Sequence, residues 1–177
     1  GLGLNKLGYS LNDKNPQHIK KAESDLHHLA PQVRGVVGDE ITMMLEQNEG
    51  SIAVVWSGVA APLVQEGDKY NYVIPKEGSN LWFDNMVIPK TAQNKEGAYR
   101  FMNFLLDEKN NKQNTEWVGY ATPNKEARKM LPKDIRNDHR FYPTKKEQQR
   151  LEVYQDLGQD TLSDYNESFL NFKMSLK

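Results

Sequence analysis

Ser51-Ile52-Ala53-Val54-Val55-Trp56-Ser57-Gly58 is an apolar, largely β-branched run closed at either end by a glycine, Gly50 and Gly58. Branching at Cβ favours extended backbone. A short apolar run bounded by turn residues predicts a buried strand over 51–56. Downstream, residues 59–65 read as a short helix. Tyr70–Ile74 alternates and stops at Pro75, which predicts a second strand; Lys76-Glu77-Gly78-Ser79 is a loop. Trp82–Ile88, stopped by Pro89, predicts a third strand. Upstream, Val33, Val36 and Val37 predict one more short strand.

Helices alternate with these segments. Leu4 and Leu7 have helical spacing and Gly8 can end that helix. Asn12–Pro16 is a turn cluster, and Pro16 suits the first turn of a helix. Ile19, Ala22, Leu26 and Leu29 give that helix its apolar face, and Pro31 stops it. Residues 39–47 predict a helix burying Ile41, Met44 and Leu45. The clearest helix covers 94–107, with Ala98, Phe101, Met102, Leu105 and Leu106 along one face. Residues 108–114 continue or follow it. Ala121-Thr122-Pro123-Asn124 is a turn, Lys125–Met130 a helix stopped by Pro132, and Phe141-Tyr142-Pro143 a second turn. Residues 144–177 read as two helices broken near Gly158. Mixed strands and helices in this order predict an α/β protein.

The 177 residues suffice for one large domain or parts of two. The formal net charge of −1 gives no basic field for nucleic acid. The absence of cysteine excludes disulfides, thiolate metal sites and cysteine nucleophiles within the chain. No stretch approaches the roughly 20 apolar residues of a spanning helix.

Little in the chain points to catalysis or cofactors. His18, His27 and His28 fall in one predicted helix and His139 is distant; adjacent His27 and His28 face different ways, so a solvated helix face explains them better than a metal site. There is no Gly-rich phosphate loop. Ser57 lacks the glycine two residues earlier that a nucleophile elbow needs. No histidine lies between His28 and His139, which disfavours a hydrolase of α/β type.

Aromatic residues at strand ends carry more information. Trp56 ends a predicted strand at a glycine-containing turn. Trp82 and Asp84 are two residues apart on another, hence on one face. Tyr120 precedes the turn at Pro123. An ammonium is attracted to an aromatic face by about 0.5–2 kcal/mol, and a carboxylate fixes the charged end by a charge-assisted hydrogen bond. These residue types therefore suit a cation cage. By pattern alone, a core in which the three rings simply pack is the commoner reading, against which Asp84 stands as an acid inside an apolar strand.

Several segments resemble, in order and at constant spacing through the middle of the chain, the spermidine/putrescine-binding proteins of bacterial polyamine ABC transporters. They are Lys6-Leu7-Gly8-Tyr9-Ser10, Val55-Trp56-Ser57-Gly58, Ile74-Pro75-Lys76-Glu77-Gly78, Leu81-Trp82-Phe83-Asp84-Asn85 through Ile88-Pro89, Asn94-Lys95-Glu96-Gly97-Ala98, Phe101–Leu106 and Gly119-Tyr120-Ala121-Thr122-Pro123-Asn124. The Trp82–Asn85 segment and Phe172-Lys173-Met174 look most like versions from Gram-positive bacteria.

The resemblance implies a periplasmic-binding-protein fold of type II: two α/β lobes joined by crossover strands, with a polyamine in the cleft between them. By position, Trp56 and Trp82 would flank the methylene chain, Asp84 would bind an amine, and Tyr120 would add an aromatic or hydroxyl contact. Tyr154-Gln155 matches a family Gln that follows an aromatic residue and faces an amine, which makes Gln155 the candidate for that contact. No metal site and no cofactor is implied. The expected division is 1–50 with 121–177 in the second lobe, 51–105 in the first, and 106–120 as a crossover helix or hinge. A long N-terminal part of the family would lie outside these residues, leaving apolar faces uncovered and favouring self-association. The implied partners are polyamine and the permease subunits of the importer, and no nucleic acid. The implied location is extracellular or periplasmic, with a lipid anchor in the full-length protein. The same fold binding another organic cation is the nearest alternative, and a non-binding interaction module a further one. Between Gly35 and Tyr99 there is no arginine to hold an anionic solute.

Overall fold

The computed structural model describes residues 1–67 and 69–176. In chain order its elements are α1 (Leu2–Lys6), α2 (Pro16–Leu29), a 3-10 turn (Ala30–Gln32), α3 (Ile41–Glu46), α4 (Ser57–Gln65), β1 (Ser79–Asn80), α5 (Lys95–Leu106), α6 (Glu108–Val118), α7 (Lys125–Met130), α8 (Lys133–Arg136), α9 (Lys145–Gln148), β2 (Leu151–Glu152) and α10 (Gln159–Met174). They form two compact units. One comprises residues 1–53, 74–82 and 146–177, the other 54–73 and 83–145. The sequence reading groups 121–177 with 1–50; by packing, 121–145 go with 54–73 and 83–120, while 146–177 go with 1–53.

The first unit is built on α2, against which α1 and α10 pack. Asn15 starts α2 by accepting a hydrogen bond from the Gln17 amide, and Pro16 follows at the first helical position. Of its expected apolar face, Ile19 and Ala22 are buried, together with Leu4, Leu11 and Phe172 from the rest of the unit, Leu26 is half-buried and Leu29 is exposed. Gly3 lets α1 come close, since a Cβ there would lie 3.1 Å from Leu26. Beside the helices, β1 and β2 pair in parallel, Ser79 with Leu151 and Asn80 with Glu152.

The second unit holds α4 to α8. Ala60, Ala61, Leu63, Ala127, Leu131 and Tyr142 form its buried centre. Asp107 breaks the long helical stretch in two, because its side chain caps α6 by accepting from the Lys109 and Asn110 amides at 3.1 and 3.2 Å. The turn after Tyr120 is held by side chains. Asn124 accepts from the Glu126 and Ala127 amides at 3.1 Å each and donates to the Leu106 carbonyl at 2.9 Å. Thr122 donates to Asn111 at 2.6 Å, and the Thr122 amide donates to the Tyr142 hydroxyl at 3.2 Å. The Arg128 guanidinium lies 4.0 Å over the Tyr142 ring.

The strands expected at 33–37, 51–56, 70–74 and 82–88 are corrected. Among the described residues the only ladder is β1–β2. A strand exists through its neighbour's hydrogen bonds, and among the described residues none of these segments belongs to a ladder. Nor is 51–56 buried: Ile52 is 92% exposed and Val54 79%. Val87, in the third expected strand, is 80% exposed. The first of the two C-terminal helices is also corrected. It shrinks to α9, because Leu151 and Glu152 pair with β1 instead of continuing a helix. Gly158, at φ 80, precedes α10 as expected. Among the described residues no helix is long and apolar enough to cross a membrane.

Candidate functional site

In the second unit, Trp56 is the extended residue that starts α4, with φ −71° and ψ 151°; its carbonyl accepts from the Val59 and Ala60 amides at 3.0 and 3.1 Å. Its side chain is largely exposed. Tyr120 follows Gly119, the left-handed cap of α6 at φ 73°. The Tyr120 ring lies directly on Gly58. A Cβ on Gly58 would be 2.3 Å from Cε2 and 2.4 Å from Cδ2 and Cζ of that ring. Gly119 is equally confined, with its own virtual Cβ 3.2 Å from the Gly58 carbonyl oxygen and 3.3 Å from the Ala61 Cβ. Two glycines thus let the first turn of α4 and the end of α6 meet, and the ring fills the space above Gly58.

More aromatic surface lies in the same unit. Tyr72 stacks on Phe141 with centroids 5.7 Å apart and planes 3° from parallel. Burial pushes the Tyr72 phenol above its ordinary value, and Tyr120 adds to the shift. Asp84 belongs to an exposed segment without regular secondary structure, after the unit boundary between residues 82 and 83. The expected apolar strand around it is absent.

Trp82 and Gln155 belong to the first unit. Trp82 lies two residues past β1, and the preceding Leu81 amide donates to the Glu152 carbonyl at 2.9 Å. Gln155 lies three residues past β2. Both therefore stand beyond the carboxyl ends of neighbouring parallel strands, where open α/β sheets place their ligands. The Gln155 amide donates to the Asn12 side chain at 2.9 Å. Tyr165 braces the Asn12 loop, its hydroxyl lying 3.1 Å from the Leu11 carbonyl and 2.7 Å from that of Asp13. Its pKa is pushed up to about 12 by burial, with Asp13, Glu152 and Tyr154 adding to it, so the hydroxyl stays a donor.

Within the units, then, Trp56, Asp84 and Tyr120 go together, and so do Trp82 with Gln155. The sequence reading took Gly58 as a strand boundary and Asn12 as a turn residue. It missed the ring seated on the first and the amide held by the second. Their signals were a glycine beside a candidate aromatic and an Asn in a turn, both too common to single out.

Comparison with known proteins bears on the whole arrangement. The family model described as bacterial extracellular solute-binding protein matches residues 2–143. The spermidine/putrescine-binding periplasmic protein of Escherichia coli K12 is 37% identical over 172 residues, covering 97% of this chain and 49% of the relative. A solved structure described as a putative spermidine/putrescine ABC transporter from Listeria monocytogenes is 55% identical, with a TM-score of 0.91, over 98% of this chain and 54% of that one. The spermidine/putrescine ABC transporter substrate-binding protein PotD from Streptococcus pneumoniae is 45% identical, with a TM-score of 0.88, over 100% of this chain and 55% of that one. The chain thus spans about half the length of the relatives it matches. Over that span, these likenesses bear out the periplasmic-binding-protein type II fold and the family resemblance read from the motifs. The chain belongs to the bacterial extracellular solute-binding protein family.

Proposed function

We propose that these residues form part of the polyamine site of an ABC importer's substrate-binding component, which captures spermidine or putrescine outside the cell and hands it to the permease. The observation that carries this reading is the likeness to spermidine/putrescine-binding proteins, 37% identity across 97% of the chain. The site chemistry agrees with it. Trp56, Trp82 and Tyr120 offer faces for a methylene chain and its ammonium groups, Asp84 offers a carboxylate, and Gln155 a neutral acceptor for the second amine. A lipid anchor to the cell membrane belongs to the same proposal.

The experiment is an equilibrium titration. A protein of the relatives' length that carries these residues is expected to bind spermidine or putrescine with micromolar affinity or better, about −8 kcal/mol, and to ignore phosphate and simple carboxylates. Binding of an anion in preference to either amine would sink the reading. The 177 residues on their own are expected to bind weakly or not at all. With Ile52, Val54 and Val87 exposed, they are also expected to self-associate, because open extended segments pair with further chains. A monomer with micromolar spermidine affinity would overturn both expectations.

A further inference from the structure

Past β2 the backbone of 153–157 is assigned to no strand. The loop 10–13 lies against the segment 152–155. Ser10 donates through its hydroxyl to the Glu152 carboxylate. The Leu11 amide donates to the same carboxylate at 3.0 Å. The Asn12 side chain then makes two contacts at once: its Nδ2 donates to the Val153 carbonyl at 3.0 Å, and its Oδ1 accepts from the Gln155 amide at 2.9 Å. One side-chain amide thereby does what a neighbouring strand's peptide would do. The loop itself is fixed by the buried Leu11 side chain and the Tyr165 hydroxyl. The Asn12 amide also donates to the Ser10 hydroxyl at 3.0 Å, so the contacts form one connected set.

We propose that Asn12 is a positioning residue for Gln155: its carboxamide brackets Val153 and Gln155 and so sets where the Gln155 side chain is presented to a ligand. This rests on the reading of Gln155 as a polyamine contact. It assigns binding-site work to a residue 143 positions away in sequence, whose only sequence mark is a turn.

Two readouts test it. The first is hydrogen exchange at the Gln155 amide, which needs no ligand. Asn12→Ala is expected to speed that exchange about tenfold or more, as a lost protecting bond does, and to leave amides in α6 unchanged. Asn12→Asp keeps the acceptor and loses the donor, so a smaller increase is expected; this variant serves if Asn12→Ala does not fold. The second is spermidine affinity in the protein of the relatives' length. Asn12→Ala is expected to weaken binding about tenfold, and to have almost no further effect once Gln155→Ala is present. Unchanged exchange at Gln155 in both Asn12 variants overturns the bracket itself. An affinity loss of equal size with and without Gln155→Ala overturns its action through Gln155. If Gln155→Ala alone leaves affinity intact, the placement of Gln155 at the ligand fails, and with it the effect of Asn12 on binding.

Discussion

Gly58→Ala is expected to destabilise the protein by about 1–3 kcal/mol, against the usual sign of the substitution. In a helix, glycine to alanine normally stabilises by about 1 kcal/mol, and Gly58 lies in the first turn of α4. Here the added Cβ would meet the Tyr120 ring at 2.3 Å, closer than van der Waals contact allows. Something must move, and overpacking of this kind costs more than the helix gains. The ring is the part that can move. The variant therefore also removes Tyr120 from its seat. Truncating Tyr120 first clears the obstacle, so in a Tyr120→Ala background Gly58→Ala should become neutral or stabilising. Urea unfolding of the four proteins measures this coupling. Equal destabilisation with and without the Tyr120 ring would show that the contact does not set the cost.

How much of this could be read from the chain varied by element. Helices were legible where one face repeats and a cap precedes it, as in α2 after Asn15 and α5 after Asn94, whose side chain accepts from the Gly97 amide. The break at Asp107 was half legible, since an aspartate inside a long helical stretch can cap a second helix. Strands were not legible, because apolar β-branched runs announce a preference that only a partner realises. Ile52 and Val54 have the composition of a buried strand and are exposed, while Leu151 and Glu152, in a stretch read as helical, found a partner in β1. For the proposed site, residue types pointed to Trp56, Trp82, Asp84 and Tyr120, and family likeness added Gln155. What supports them was hidden, because it lies in tertiary contacts: Gly58 beneath Tyr120, and Asn12 beside Gln155.

Asp84 is the residue on which the polyamine reading depends most. Aromatic faces attract any organic cation, but a carboxylate that hydrogen-bonds an ammonium contributes about 1.5–3 kcal/mol. Asn at this position keeps the size and the acceptor oxygen and loses only the charge. Because Asp84 is exposed, the substitution should leave folding within about 0.5 kcal/mol of the parent protein. Its effect should therefore appear in binding alone. The decisive measurement is calorimetric titration of spermidine into Asp84→Asn and its parent, both at the relatives' full length. The account predicts an affinity about 10- to 100-fold weaker with an unchanged unfolding midpoint; unaltered affinity in a folded Asp84→Asn protein would contradict it.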